Sequence, residues 1–172
     1  CTDLSTDGSC KLVEATAATV TGLGYTYADS ATATLIHDTL AAEVLGMNAM
    51  ANHLIHAALV ARIRNLGRGG ITAMAIAAID NALWDLKACL LDLPLVTLLG
   101  QMRDTAPVYG SGGFTSYSVA QLQAQLAGWV GDGIPRVKMK IGRDPGADVA
   151  RIAAARRAIG DAAELFVDAN GA

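Results

Sequence analysis

The sequence predicts an α/β protein in two parts, an α+β unit followed by a run of alternating strands and helices. Two observations carry this. Before Pro107, two short β-type runs precede three runs of helical periodicity. After Pro107 the order is strand, helix, strand, helix, strand with short connections, the pattern of parallel strands with right-handed crossovers. Composition agrees with a folded interior, since 52% of the 172 residues are hydrophobic and 17% charged, too apolar for a disordered chain. Thirteen basic against 16 acidic residues give a net charge of -3, which argues against a nucleic-acid partner held by a general positive field. Three cysteines, an odd number, do not make a disulfide framework. No apolar run reaches the roughly 18 to 20 residues of a membrane span; the longest, from Ile71, is interrupted by Asp80 and Asn81. The chain opens polar at Cys1-Thr2-Asp3, without a secretory leader, so a cytoplasmic enzyme or enzyme piece is expected.

Taking the elements in order, Leu12–Val20 and Leu23–Tyr27 read as two strands with a tight turn at Thr21-Gly22. Ala28-Asp29-Ser30 offers an N-cap to a helix carrying Leu35, Ile36, Leu40, Val44 and Leu45, ended by Gly46. Asn48 is placed to cap a second helix with Met50, Leu54, Ile55, Ala58, Leu59 and Ile63 on one face. Thr72 opens a third, whose stripe is Met74, Ala75, Ala78, Ile79, Ala82, Leu83, Leu86 and Leu90. Its alanines suggest close helix packing, and Pro94 begins a short turn that stops at Gly100. Beyond Pro107, strands are expected at Val108–Ser111, Arg136–Ile141 and Leu165–Asp168. Helices are expected at Val119–Val130 and at Asp148–Ile159, the latter closed by Gly160.

Two pairs of polar residues carry the chemistry. Lys138 and Lys140 alternate on one strand, so both ammonium groups project from one face. An edge strand with a charged outer face explains them; so does an enclosed site, in which each charge disfavours protonation of the other and one lysine moves toward base behaviour. Asp168 and Asn170 share a face at the carboxyl end of the third strand, where parallel α/β architectures bind ligands. A carboxylate there suits a hard divalent cation, Mg²⁺ or Mn²⁺, while Asp-Ala-Asn-Gly is also ordinary turn sequence.

Taken together, Lys138-Met139-Lys140-Ile141-Gly142, Ala158-Ile159-Gly160-Asp161 and Val167-Asp168-Ala169-Asn170-Gly171 resemble the mandelate racemase/muconate-lactonizing branch of the enolase superfamily. Upstream, Gly22-Leu23-Gly24-Tyr25, Arg64-Asn65-Leu66-Gly67-Arg68 and Ala78-Ile79-Asp80-Asn81-Ala82-Leu83-Trp84-Asp85-Leu86-Lys87 fit the same family in the same order. The resemblance implies an α+β capping domain, residues 1–106 with its first strand missing, followed by the first units of a TIM-type (β/α) barrel, residues 107–172. It implies Lys140 as the base that removes a proton alpha to a carboxylate, and Lys138 beside that carboxylate, keeping its neighbour's pKa low. It implies Asp168 as the first of three acidic ligands for Mg²⁺, with Mn²⁺ as the alternative. Asn170, Ser111 and Tyr25 fall to substrate contact, and the segment Cys1–Ser9 to a loop closing over the substrate. The expected reaction passes through an enediolate to racemisation or epimerisation, sugar-acid dehydration, or cycloisomerisation of a small carboxylate. A homo-oligomer is expected at full length.

Other features read as structural. His53 and His56 stand three apart, without the partners of a metal site. Cys1, Cys10 and Cys89 read as reduced thiols, Trp84 as core packing, and Gly112-Gly113 as too weak for a phosphate loop. Three strands and two helices fall short of the eight of each in a full barrel. The later metal ligands are therefore expected outside residues 1–172, leaving this chain inactive by itself; the contrasting expectation is a non-catalytic remnant acting as a binding or assembly module.

Overall fold

A computed structural model describes residues 10–171, and its contacts divide the chain into two compact units, one up to Met102 and one from Arg103 on. The Cys1–Ser9 segment, expected to close over the substrate, lies outside the described residues.

In the first unit, β1 (Cys10–Ala17) and β2 (Val20–Tyr27) form an antiparallel hairpin in which Ala17 faces Val20. The turn is therefore Ala18-Thr19, with Ala18 at φ 53°, and the turn expected at Thr21-Gly22 is displaced. Gly22 and Gly24 are mid-strand residues that let a helix press on the sheet. A Cβ on Gly22 would lie 2.1 Å from the Leu86 amide nitrogen, and one on Gly24 would lie 2.0 Å from the Ala78 carbonyl oxygen. Both obstacles belong to the long helix Ile71–Leu90, so these glycines answer to tertiary approach and not to chain reversal.

Asp29 N-caps α1 (Ser30–Leu35), accepting from the Ala31 amide at 2.9 Å. The helix continues through a π-type turn, Ile36–Leu40, into α2 (Ala41–Val44). Ile36 and Leu40 face the core, whereas Leu45 stays outside it, 78% exposed. Asn48 accepts from the Met50 amide and shapes the approach to α3 (Asn52–Arg62), which starts later than expected, with Ala51 at its N-cap. On α3 the buried residues are Ile55 and Leu59, with Ile63 following, while Leu54 and Met50 are exposed. α4 (Ile71–Leu90) buries Ala75, Ala78, Ile79, Ala82, Leu83 and Leu86, and leaves Met74 and Leu90 out of its stripe. The Thr72 hydroxyl lies 2.7 and 2.8 Å from the Gly67 and Gly69 carbonyl oxygens, fastening the loop before the helix. α5 (Leu95–Leu98) is the short turn after Pro94. Trp84 departs from the expected core position: it is half-buried, edge-on to the His53 ring at 5.5 Å and beneath the Lys87 ammonium.

In the second unit, β3 (Gly110–Ser111), β4 (Arg136–Lys140) and β5 (Glu164–Asp168) form a parallel sheet in that order. β3 is two residues long, and Val108 is exposed ahead of it. Helices α6 (Val119–Gly131) and α7 (Pro145–Ile159) supply the core on one face of the sheet. There Val137 and Met139 cluster with Leu122, Leu126, Ala155 and Ile159. Ser118 and Gln121 make a capping box at the start of α6. Asp144 and Pro145 start α7 three residues before the expected Asp148. Asp148 instead accepts from the Gly142 amide at 2.8 Å, tying the end of β4 to the helix. Among the described residues, no helix is long and apolar enough to cross a membrane.

Candidate active site

The alternation of β4 decides the site. Val137 and Met139 are fully buried under the helices, so Lys138 and Lys140 project from the opposite face. In the parallel register, Ser111 pairs with Lys138, and Lys140 with Asp168, which gathers these side chains at neighbouring positions. The carboxyl ends are knitted by backbone bonds, Lys140 donating to the Gly113 carbonyl at 3.0 Å and Ile141 to that of Asp168 at 3.0 Å.

One oxygen organises the charges. Lys138 Nζ lies 3.0 Å and Lys140 Nζ 2.6 Å from Asp168 Oδ2, and each lysine side chain is 18% exposed. Lys140 Nζ also donates to Asn170 Oδ1 at 2.5 Å. Asn170, at φ 51°, donates its amide to Asp168 Oδ1 at 2.9 Å. β4 is the central strand of the described sheet, not an edge, and both ammonium groups on its open face point at a carboxylate.

The electrostatics differ from the simple expectation for two adjacent ammonium groups. Asp168 is held far below the usual carboxylate range, first by the hydrogen bond from Lys140, then by the Asn170 amide and Lys138. Lys138 is pushed up from its ordinary value, chiefly by its hydrogen bond to Asp168. Asp168 therefore favours the charged form of Lys138, the lysine expected to lower its neighbour's pKa.

Sequence reasoning missed two aromatic residues on this face. Tyr109 lies under the Lys138 ammonium, 5.3 Å from ring centroid to Nζ, and edge-on to Phe166 at 5.9 Å. The period of two was the available signal, because Tyr109 shares parity with Ser111, and Phe166 with Asp168. Beyond the strand ends, Thr115, Ile141, Gly142, Arg143 and Asn170 line an open concavity. Tyr25, expected at the substrate, lies on β2 of the first unit, 59% exposed and edge-on to Tyr27.

Asp168 is a hard oxygen donor of the kind Mg²⁺ takes, and the Asn170 amide oxygen beside it is another. Among the described residues no group of three His, Cys, Asp or Glu side chains could hold a metal ion. The residues present therefore fit one corner of a metal site. His53 and His56 do not form another: His53 packs on Trp84, and His56 Nδ1 sits 3.2 Å from Asp80 Oδ1.

A parallel strand–helix unit with paired lysines and a carboxylate at its strand ends, preceded by an α+β unit, defines an α/β protein in two parts. Residues 6–100 match the family described as mandelate racemase / muconate lactonizing enzyme, N-terminal domain, and residues 121–172 the enolase C-terminal domain-like family. The chain belongs to the mandelate racemase/muconate-lactonizing branch of the enolase superfamily. It is 39% identical to a 3,6-anhydro-alpha-L-galactonate cycloisomerase of Streptomyces coelicolor, over 87% of this chain and 43% of that one. A mandelate racemase/muconate lactonizing enzyme-like protein from Rubrobacter xylanophilus superimposes with a TM-score of 0.87 at 52% identity, over 94% of this chain and 45% of the other. A Streptomyces coelicolor racemase crystallised with bound magnesium gives a TM-score of 0.80 at 37% identity, over 94% and 47%. Further relatives are named as an L-talarate/galactarate dehydratase and an L-Ala-D/L-Glu epimerase. The chain spans less than half the length of these relatives.

Proposed function

We propose that the protein contributes the base and the first metal ligand of an enzyme that removes a proton alpha to a carboxylate. The observation that carries this is the convergence of Lys138 and Lys140 on Asp168 at the carboxyl ends of adjacent parallel strands. In this reading the neutral amine of Lys140 takes the α-proton at Nζ, and Asn170 fixes the position of that nitrogen. Lys138, its charge reinforced by Asp168, faces the substrate carboxylate and the negative charge that grows on it as the enediolate forms. Ser111, one strand away in register with Lys138, contacts the same substrate end. Asp168 would hold Mg²⁺ or Mn²⁺, which would supply an electrophile for the substrate carboxylate.

The substrate class is a small carboxylic acid, with a sugar acid favoured by the named relatives. Racemisation, dehydration and cycloisomerisation share the proton abstraction and differ only in the fate of the enediolate. The whole enzyme is expected to be cytoplasmic and homo-oligomeric. Because no three-ligand group exists among the described residues, residues 1–172 alone are expected to show no turnover.

Exchange of the α-proton of candidate sugar acids in D₂O, followed by NMR with Mg²⁺ and protein from the complete reading frame, tests this. Lys140→Ala should lower exchange by roughly a thousandfold. Exchange at the wild-type rate in Lys140→Ala would remove that residue from the base role.

A further inference from the structure

The loop between β3 and α6 is fastened to its surroundings at two places. At its root, the Gly113 amide donates to Gln125 Oε1 at 2.8 Å, and the Gly113 carbonyl accepts from Lys140. Farther along, Arg151 of α7 reaches across. Its Nη1 donates to the Tyr117 carbonyl at 2.9 Å and its Nη2 to the Phe114 carbonyl at 3.1 Å. The turn between those carbonyls is closed by the Tyr117 amide donating to Phe114 at 3.0 Å, and the two rings meet edge-on at 5.5 Å. Arg151 Nε is buried without an acceptor among the described residues.

A buried donor left unpaired is a cost, and an apolar side chain on α7 would avoid it. What an apolar side chain cannot do is hold two carbonyls of a neighbouring loop at a set spacing, which the planar guanidinium does. Inside that clamp sits Thr115, which lines the concavity with Arg143 and Asn170. Asn170 in turn accepts from Lys140, so the concavity adjoins the lysine that faces the α-carbon.

We propose that Arg151 is a positioning residue for substrate capture: it holds the Phe114–Tyr117 turn so that Thr115 meets the hydroxylated chain of the acid bound at Lys138 and Lys140. This rests on the carbon-acid reading of Lys140. Arg151 touches no reacting atom, and its contribution is to binding of the part of the substrate that does not react.

The test uses protein from the complete reading frame with Mg²⁺ and the sugar acid that it turns over. Arg151→Met should raise KM about tenfold with kcat within about twofold, the mark of lost uniform binding. Arg151→Lys, keeping one donor, should fall between Met and wild type. Amide hydrogen exchange at Phe114–Tyr117 should accelerate at least about tenfold in Arg151→Met, the size expected when about 1.4 kcal/mol of local anchoring is lost. Thr115→Val should reproduce the KM rise without the change in exchange. Unchanged loop exchange in an active Arg151→Met variant, or faster exchange with KM unchanged, would overturn the role of Arg151. If Arg151→Met exchanges globally, Thr115→Val decides: an unchanged KM there overturns the proposal. A wild-type protein without α-proton exchange would overturn the carbon-acid reading itself, and the substrate-capture role with it.

Discussion

Gly22 and Gly24 in the first unit, and Gly112 and Gly113 in the second, all stand where a side chain would collide, but they face different neighbours. In the first unit the obstacle is the backbone of α4, 2.1 Å from a Cβ added at Gly22 and 2.0 Å from one added at Gly24. In the second the nearest atoms belong to side chains, Gln125 Oε1 at 2.3 Å from a Cβ added at Gly112 and Met139 Cβ at 2.7 Å from one added at Gly113. Backbone against backbone cannot yield without moving a helix. A glutamine amide can swing aside. The first unit is therefore a hairpin locked on a helix, whereas the second uses glycine to shape a loop beside a charged sheet face.

That contrast sets the largest expected effect. Gly24→Ala should cost about 4 kcal/mol or more, because β2 must part from α4. Gly112→Ala, whose nearest neighbours are Gln125 and the Trp129 ring, should cost about 1 to 2 kcal/mol. Thermal unfolding of both variants measures the difference, and equal losses would dissolve the distinction between the units. Gly113 is the stricter member of its pair, since its φ of 57° disfavours any side chain.

The same glycines show what the sequence could and could not disclose. Alternation along β4 placed both lysines on one face, and the parallel order of strands came from the strand–helix repeat. Local caps at Asp29 and Gly160 were legible because they depend on neighbours in the chain. Gly22, by contrast, looks the same whether it turns a chain or admits a helix 60 residues away, and only the fold decides between them. The displaced start of α3 has a similar cause: Asn48 accepts from Met50 as a cap would, but the helix proper begins after Ala51. The shared use of Asp168 by two lysines was also hidden, because register between strands, not spacing within one, brings Lys140 opposite Asp168.

Acid titration sharpens the comparison between units. Asp29 is lowered first by a backbone amide, that of Ala31, and Asp168 first by an ammonium, that of Lys140. A carboxylate with a depressed folded pKa stabilises the fold above its unfolded value, and that contribution is lost as pH falls through the folded value. For Asp168 the loss therefore comes well below the ordinary carboxylate range. For Lys138 the sign reverses: its raised pKa contributes below the unfolded lysine value and is lost only as pH rises through the higher folded one. Carboxyl ¹³C shifts, followed against pH without added divalent cation, should show Asp168 still ionised where free aspartate protonates. Raising the salt should move Asp168 upward more than Asp29, since ion pairs are screened more than a local amide bond. Titration of Asp168 at the ordinary aspartate value would mean that the lysines are not seated on it in solution.

The smallest expected effects come from the two helix caps, and they separate the units by reach and not by size. Asp29→Ala and Ser118→Ala should each cost about 1 kcal/mol. Asp29 starts α1, which carries the fully buried Thr32 and leads directly into Ile36 and Leu40 of the core. Its loss should therefore speed amide exchange across the helices packed on the first hairpin. Ser118 holds its own turn through a reciprocal bond with Gln121, while Leu122 and Leu126 anchor α6 one turn later. Exchange in Ser118→Ala should stay within the first turn of α6, leaving the protection of Lys138–Lys140 unchanged. Loss of protection along β4 in that variant would show that the helix start and the charged strand unfold as one unit.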